Sequence, residues 1–191
     1  MKRVLLAALL GGLVHFVWGA FSWMVLPWHD STLKDLPGES TILPVLRQNV
    51  GESGIYWFPG MQDAKLNEAS AAAFEKKYNE GPIGWLVYHP QGRPSMPKST
   101  FAKGFLIDVL SALLAASVLA AASPRGYIGR VFIVVGLGIF AALVSHAMQW
   151  TWMLMPAGYT VVMMADLVLG WSIAGLVMAA LVRKPAVPIL P

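Results

Sequence analysis

The chain has 191 residues, of which 57% are hydrophobic and only 13% charged, and its mean hydropathy is +0.60. Water-soluble domains carry about twice that share of charge, so the composition excludes a disordered polypeptide and a nucleic-acid-binding protein and argues against a soluble enzyme. With no cysteine, disulfides, iron–sulfur clusters, covalently attached haem, thiol relays and an acylated lipoprotein anchor are excluded as well.

The first element is an apolar run from Val4 to Leu26, closed by Pro27. A hydrocarbon core of about 30 Å needs about 20 apolar residues in helical form, and this run is long enough. A secretory signal has a shorter apolar region followed by small residues. Here Trp18, Phe21, Trp23 and Met24 crowd the end of the run, so an uncleaved anchor is expected over residues 4–28.

Residues 29–103 follow as a polar, patterned segment. Gly38 to Leu46 predicts a short helix with Pro44 in its first turn. Ile55 to Phe58, bracketed by Gly54 and Pro59-Gly60, predicts a strand. Asp63 to Tyr78, rich in Ala, Glu and Lys, predicts a helix with Asp63 as its cap. Trp85 to Tyr88 predicts a second strand paired with the first. The expectation is a small α+β cap, marginal in stability by itself, that leans on the helices or on a partner. Its lone histidines, His29 and His89, read as surface loop residues rather than metal ligands.

Residues 104–184 contain three more apolar runs: about Phe105–Ala122, Tyr127–Leu154 and Tyr159–Val182. Residues 185–191 form a tail. The fold expected is an all-α membrane protein, a compact four-helix transmembrane bundle with the small α+β extracytoplasmic cap between helices 1 and 2.

Charge placement orients it. Lys2 and Arg3, Arg125 and Arg130, and Arg183 and Lys184 have no acidic neighbours in sequence, whereas residues 29–103 hold equal numbers of acidic and basic side chains. Short cytoplasmic segments collect Lys and Arg. Both termini and the 123–130 loop are therefore expected in the cytoplasm, with 29–103 outside a bacterial-type inner membrane. The net charge of +4 is a topology signal. Trp23, Trp28, Trp150, Trp152 and Tyr159 would sit near the outer boundary as an interfacial belt.

The sharpest chemical signal is ionisable residues inside apolar runs: His15, His146, Asp166 and Asp108. An aspartate at a helix centre costs roughly 2.5–3.5 kcal/mol on insertion scales, so such groups normally turn inward and pair. His146 and Asp166 stand symmetrically about Pro156, which puts them at matching depth in an antiparallel hairpin. His15 is expected at a similar depth and Asp108 at a shallower one. Small residues line the same faces: Gly11, Gly19 and Ser22 beside His15, and Ala142, Ser145 and Gln149 beside His146. The candidate polar cluster is therefore His15, His146, Asp166, Gln149 and Asp108.

Three readings compete for that cluster: a structural His–Asp clamp, ligand or proton handling, and a metal or b-type haem. Two histidines without arginines for haem propionates make a weak haem motif, and zinc wants three or four ligands. No metal set is predicted. With no nucleotide-binding, hydrolase or metalloprotease motif present, the expected function is a non-catalytic accessory subunit or assembly factor of a membrane complex. It would work with partner membrane proteins or copies of itself. The alternative is a membrane-embedded ligand-binding or catalytic protein that uses His15, His146 and Asp166 on a lipid, quinone or haem.

Overall fold

A computed structural model of the chain describes residues 1–62, 65–122, 124 and 126–183. In chain order the elements are α1 (Lys2–Met24), a 3-10 turn (Asp30–Thr32), α2 (Glu39–Asn49), β1 (Gly54–Phe58), α3 (Glu68–Glu80), β2 (Gly84–Tyr88) and α4 (Lys98–Ala122). Then come α5 (Tyr127–Ala142), a π-helical turn (Leu143–Ala147), α6 (Met148–Trp152) and α7 (Ala157–Leu181). Four helical stretches are long and apolar enough to cross a membrane: α1, α4, α5 continued through α6, and α7.

The chain divides into two compact units. One comprises Met1–Lys34 and the chain from Met96 onward; the other is Asp35–Ser95. Residues 29–34, expected to open the cap, thus belong with the long helices. The reason is His29, which is buried among α1 residues.

The helical unit is built on small residues. Ala7, Ala8, Gly11 and Gly12 of α1 are buried, as are Ala112, Ala115 and Ala116 of α4 and Ala174, Gly175 and Ala179 of α7. Leu5, Leu9, Leu13 and Val17 recur every fourth residue on the outside of α1 and stay exposed. A water-soluble bundle buries its large apolar side chains. Here most buried side chains are small, with Leu119, Val134, Trp171 and Met178 among them, and most large apolar ones stay outside, so the backbones approach closely. Gly12 marks the tightest approach: a Cβ built there would stand 2.6 Å from the Val109 Cα.

The bundle is an open arc rather than the compact four-helix assembly expected. α1 packs on α4 and on α7, and α7 packs on α5, but α4 and α5 touch only lightly. Between them runs an apolar groove of about 420 Å³, with Ser111 and Ala115 on one wall, Ala141 and Ser145 on the other, and Trp171 between. Arg130, expected in the 123–130 loop, is helical instead. It lies in the first turn of α5, buried, and its Nε donates to the Ala179 carbonyl at 2.8 Å. Arg3 donates similarly to the Arg183 carbonyl at 3.1 Å. Arg130 thereby satisfies a last-turn carbonyl that α7 leaves unpaired, Arg3 binds the chain just past the helix end, and both cations complement its dipole.

In the second unit, β1 and β2 pair antiparallel, with Gly54 opposite Tyr88, Tyr56 opposite Leu86 and Phe58 opposite Gly84. The strands form where the sequence places them. α3 starts later than expected: Asp63, the anticipated cap, lies outside the described residues, and Asn67 caps instead, its side chain accepting from the Ser70 backbone N–H at 2.9 Å. Pro44 sits in the second turn of α2, not the first. Among the described residues of this unit only Tyr88 is buried. A segment of this size with almost no apolar interior has little to hold it together alone.

Candidate functional site

The polar residues of α1 follow its helical repeat. His15, Trp18 and Ser22 fall on one face, each a turn from the next, and that face meets α4 and α7. α4 begins at Lys98, two turns earlier than expected, so Asp108 lies well inside the helix rather than near its end. This places Asp108 opposite His15. His15 Nδ1 donates to Asp108 Oδ1 at 3.0 Å. The other face of the imidazole rests against Trp171, ring centres 4.6 Å apart.

Asp166 of α7 takes different partners. Trp18 Nε1 donates to its Oδ1 at 2.7 Å and lies 3.1 Å from its backbone carbonyl. His29 Nε2 stands 3.5 Å from Oδ2. The same His29 nitrogen hydrogen-bonds Ser22 Oγ at 2.9 Å, and Trp28 Nε1 donates to that hydroxyl at 3.0 Å. His29 also stacks flat on Trp23 with ring centres 3.9 Å apart. The result is a continuous chain of contacts: Trp18, Asp166, His29, Ser22 and Trp28. His29 is only 1% exposed, so it is an interior residue and not the surface loop histidine expected from its proline-rich neighbourhood.

Gly170 makes the arrangement possible. A Cβ there would fall 2.7 Å from Trp18 Cδ1 and 3.0 Å from His15 Nε2, so a larger residue would push both rings away from their carboxylates. Beside these contacts a groove of about 330 Å³ opens among α1, α4 and α7, lined by His15, Asp108 and Asp166 and by Phe16, Gly19 and Trp23. Comparison with family models, curated proteins and solved structures finds no match to this chain. Its chemistry therefore rests on these residues alone.

Three of the five sequence candidates, His15, Asp108 and Asp166, share the groove. His146 and Gln149 do not line it. His146 lies in the π-helical turn, which packs on α7, and among the described residues it makes no hydrogen bond to His15 or Asp166. Of the expected meeting of His15, His146 and Asp166, hydrogen bonds join His15 to Asp108 and Asp166 to Trp18, with His29 beside it, while His146 stands near enough to Asp166 to interact with it through charge. The inserted residue of the π turn changes which side of the helix each later residue faces, so a regular helical wheel misplaces Gln149. π turns often occur at functional positions.

His15 uses Nδ1 on Asp108, and its Nε2 is buried beside Gly170 with no hydrogen-bond partner among the described residues. Among the described residues no group of three or more His, Asp or Glu is arranged to hold a metal.

Sequence reasoning missed Trp18, Ser22 as an acceptor, and His29. One signal was available. Ser22 lies one turn after Trp18, while Pro27 ends α1 and turns Trp28 and His29 back toward it.

Proposed function

We propose that this chain is a multi-pass protein of a bacterial-type inner membrane. Both ends would be cytoplasmic, with the Asp35–Ser95 unit outside. In that setting it serves as a non-catalytic accessory or assembly subunit of a membrane complex. The observation that carries the reading is the open seam between α4 and α5. Small residues recur along its walls at four-residue spacing, Ser111 and Ala115 facing Ala141 and Ser145 among larger apolar neighbours, the pattern that lets helices approach closely in lipid, yet these two helices leave the space between them unfilled. The inside-out distribution of large and small side chains supports the membrane setting, and the coreless outer unit supports dependence on a partner. Extraction in mild detergent, sizing and mass spectrometry should find the chain in an assembly well above 20.7 kDa. Substituting Ala115→Leu and Ala141→Leu to fill the seam should release it. A lone monomer from the native membrane would defeat the proposal.

Topology can be tested directly because the chain has no cysteine. Ser70→Cys should react with a membrane-impermeant maleimide added to spheroplasts. Gly126→Cys should react only after the membrane is opened. The reverse pattern would invert the orientation.

A second reading is favoured by one specific observation, the groove that exposes part of His15, Asp108 and Asp166. Ionisable groups at such depth mark ligand or ion paths by default. On this reading the protein binds a small amphiphile such as a lipid or quinone between α1, α4 and α7.

A further inference from the structure

We propose that the groove between α1, α4 and α7 is a binding site for a lipophilic organic cation. This inference rests on the second, ligand-binding reading above and names its ligand class.

The argument begins with charge. Asp108 and Asp166 line the groove, and no lysine or arginine lines it. Among the described residues the ion-pair partners of these carboxylates are histidines alone, His15 for Asp108 and His29 for Asp166. Asp108 uses Oδ1 on His15. Its Oδ2 makes no hydrogen bond among the described residues and is not among the fully buried orphan atoms, and the side chain keeps 20% of its surface. An unengaged carboxylate oxygen facing an open groove is an acceptor that a neutral apolar ligand leaves unsatisfied and an anionic ligand repels.

The walls give the second half of the argument. Phe16 and Trp23 of α1 and Phe101 of α4 line the same groove as the carboxylates, together with Met24 and Met96. Aromatic faces attract cations through their quadrupoles, most strongly where water is excluded, and methionine adapts to irregular ligand shapes. Gly19 keeps the mouth open, since a Cβ built there would meet nothing within 4 Å. His15 lies nine residues from the end of α1, about 14 Å along the axis. A cation reaching that depth must carry its own apolar surface.

The test uses the purified full chain in a neutral detergent, titrated with tetraphenylphosphonium, its anionic isostere tetraphenylborate and a neutral short-chain quinone, with tryptophan fluorescence and calorimetry as readouts. Phosphonium should bind saturably, at least tenfold more tightly than borate or quinone. Asp108→Asn should weaken it tenfold or more, and Asp108→Glu should restore most of the affinity. Gly19→Leu keeps both carboxylates and fills only open space, so it should abolish binding while leaving the melting temperature unchanged. Displacement by short-chain phosphatidylethanolamine would identify a lipid headgroup as the source of the cation, and failure to displace would identify a free one. Either result supports the site. If quinone or borate binds in a Gly19-dependent way and phosphonium does not, the cation class is overturned while the ligand-binding reading stands. If no probe shows Gly19-dependent binding, both fall.

Discussion

Gly12→Ala is expected to destabilise the helical unit by about 1–3 kcal/mol, the usual cost of forcing an extra carbon into a filled interior. The added Cβ would stand 2.6 Å from the Val109 Cα and 2.8 Å from its backbone nitrogen. Backbone atoms cannot rotate aside, so α1 and α4 must separate, and the separation would stretch the His15–Asp108 hydrogen bond one turn away. Two neighbouring glycines supply the controls. At Gly11 the new carbon meets the Met178 side chain at 2.6 Å, a flexible thioether that can move, so Gly11→Ala should cost less. At Gly19 it meets nothing, and alanine is the better helix former by roughly 0.5–1 kcal/mol, so Gly19→Ala should be neutral or slightly stabilising. Thermal unfolding followed by circular dichroism in one detergent would rank the three. Equal melting temperatures for Gly12→Ala and Gly19→Ala would show that α1 and α4 are not in close backbone contact.

Ser22→Ala carries the second large effect. The hydroxyl is fully buried and serves two partners at once, accepting from Trp28 Nε1 and bonding His29 Nε2. Removing it strands both groups, and a buried polar group without a partner costs about 1–3 kcal/mol. His29 retains its longer contact with Asp166 Oδ2, so the loss should fall near the middle of that range. His29→Phe keeps the stacking on Trp23 while deleting the polar contacts. If Ser22 and His29 act as one unit, the double variant should be less destabilised than the sum of the singles, by more than about 0.5 kcal/mol. Strict additivity would mean that the two side chains are independent and that the chain from Trp18 to Trp28 is not a network.

Much of this architecture is legible in sequence because the strongest signal, long apolar runs broken at Pro27 and Pro156, is local. The two paired strands are legible for the same reason, being short aromatic stretches closed by glycine and proline. The open seam is not legible. Small residues on α4 and α5 say that something packs closely, but not that α7 and α1 lie between them. Asp108 was singled out, but its depth was misjudged because Lys98 and Lys103 are charged, and charge is read as the end of an apolar run even where the helix continues. Asp166 was expected to meet an imidazole across the hairpin, from His146. Its partners instead arrive from α1 and from the turn after it, contacts between residues far apart in the chain that no periodicity encodes. His29 looked exposed because its neighbours are turn formers. It is buried because that same turn folds it back under Trp23.

The π-helical turn at Leu143–Ala147 has a consequence for comparing this protein with others. The turn absorbs one extra residue, so Gln149, Trp150 and Trp152 lag by about 100° the sides that a straight count at one residue per 100° assigns them. A homologue lacking one residue in this stretch could run the same distance as a plain α-helix with no change in length that an alignment would penalise heavily. Two such sequences would match letter for letter beyond the gap and still offer the same sides to their surroundings, because the wider turn absorbs the extra residue. The Leu143–Ala147 turn is therefore where one codon can be gained or lost while the helix beyond it keeps its packing.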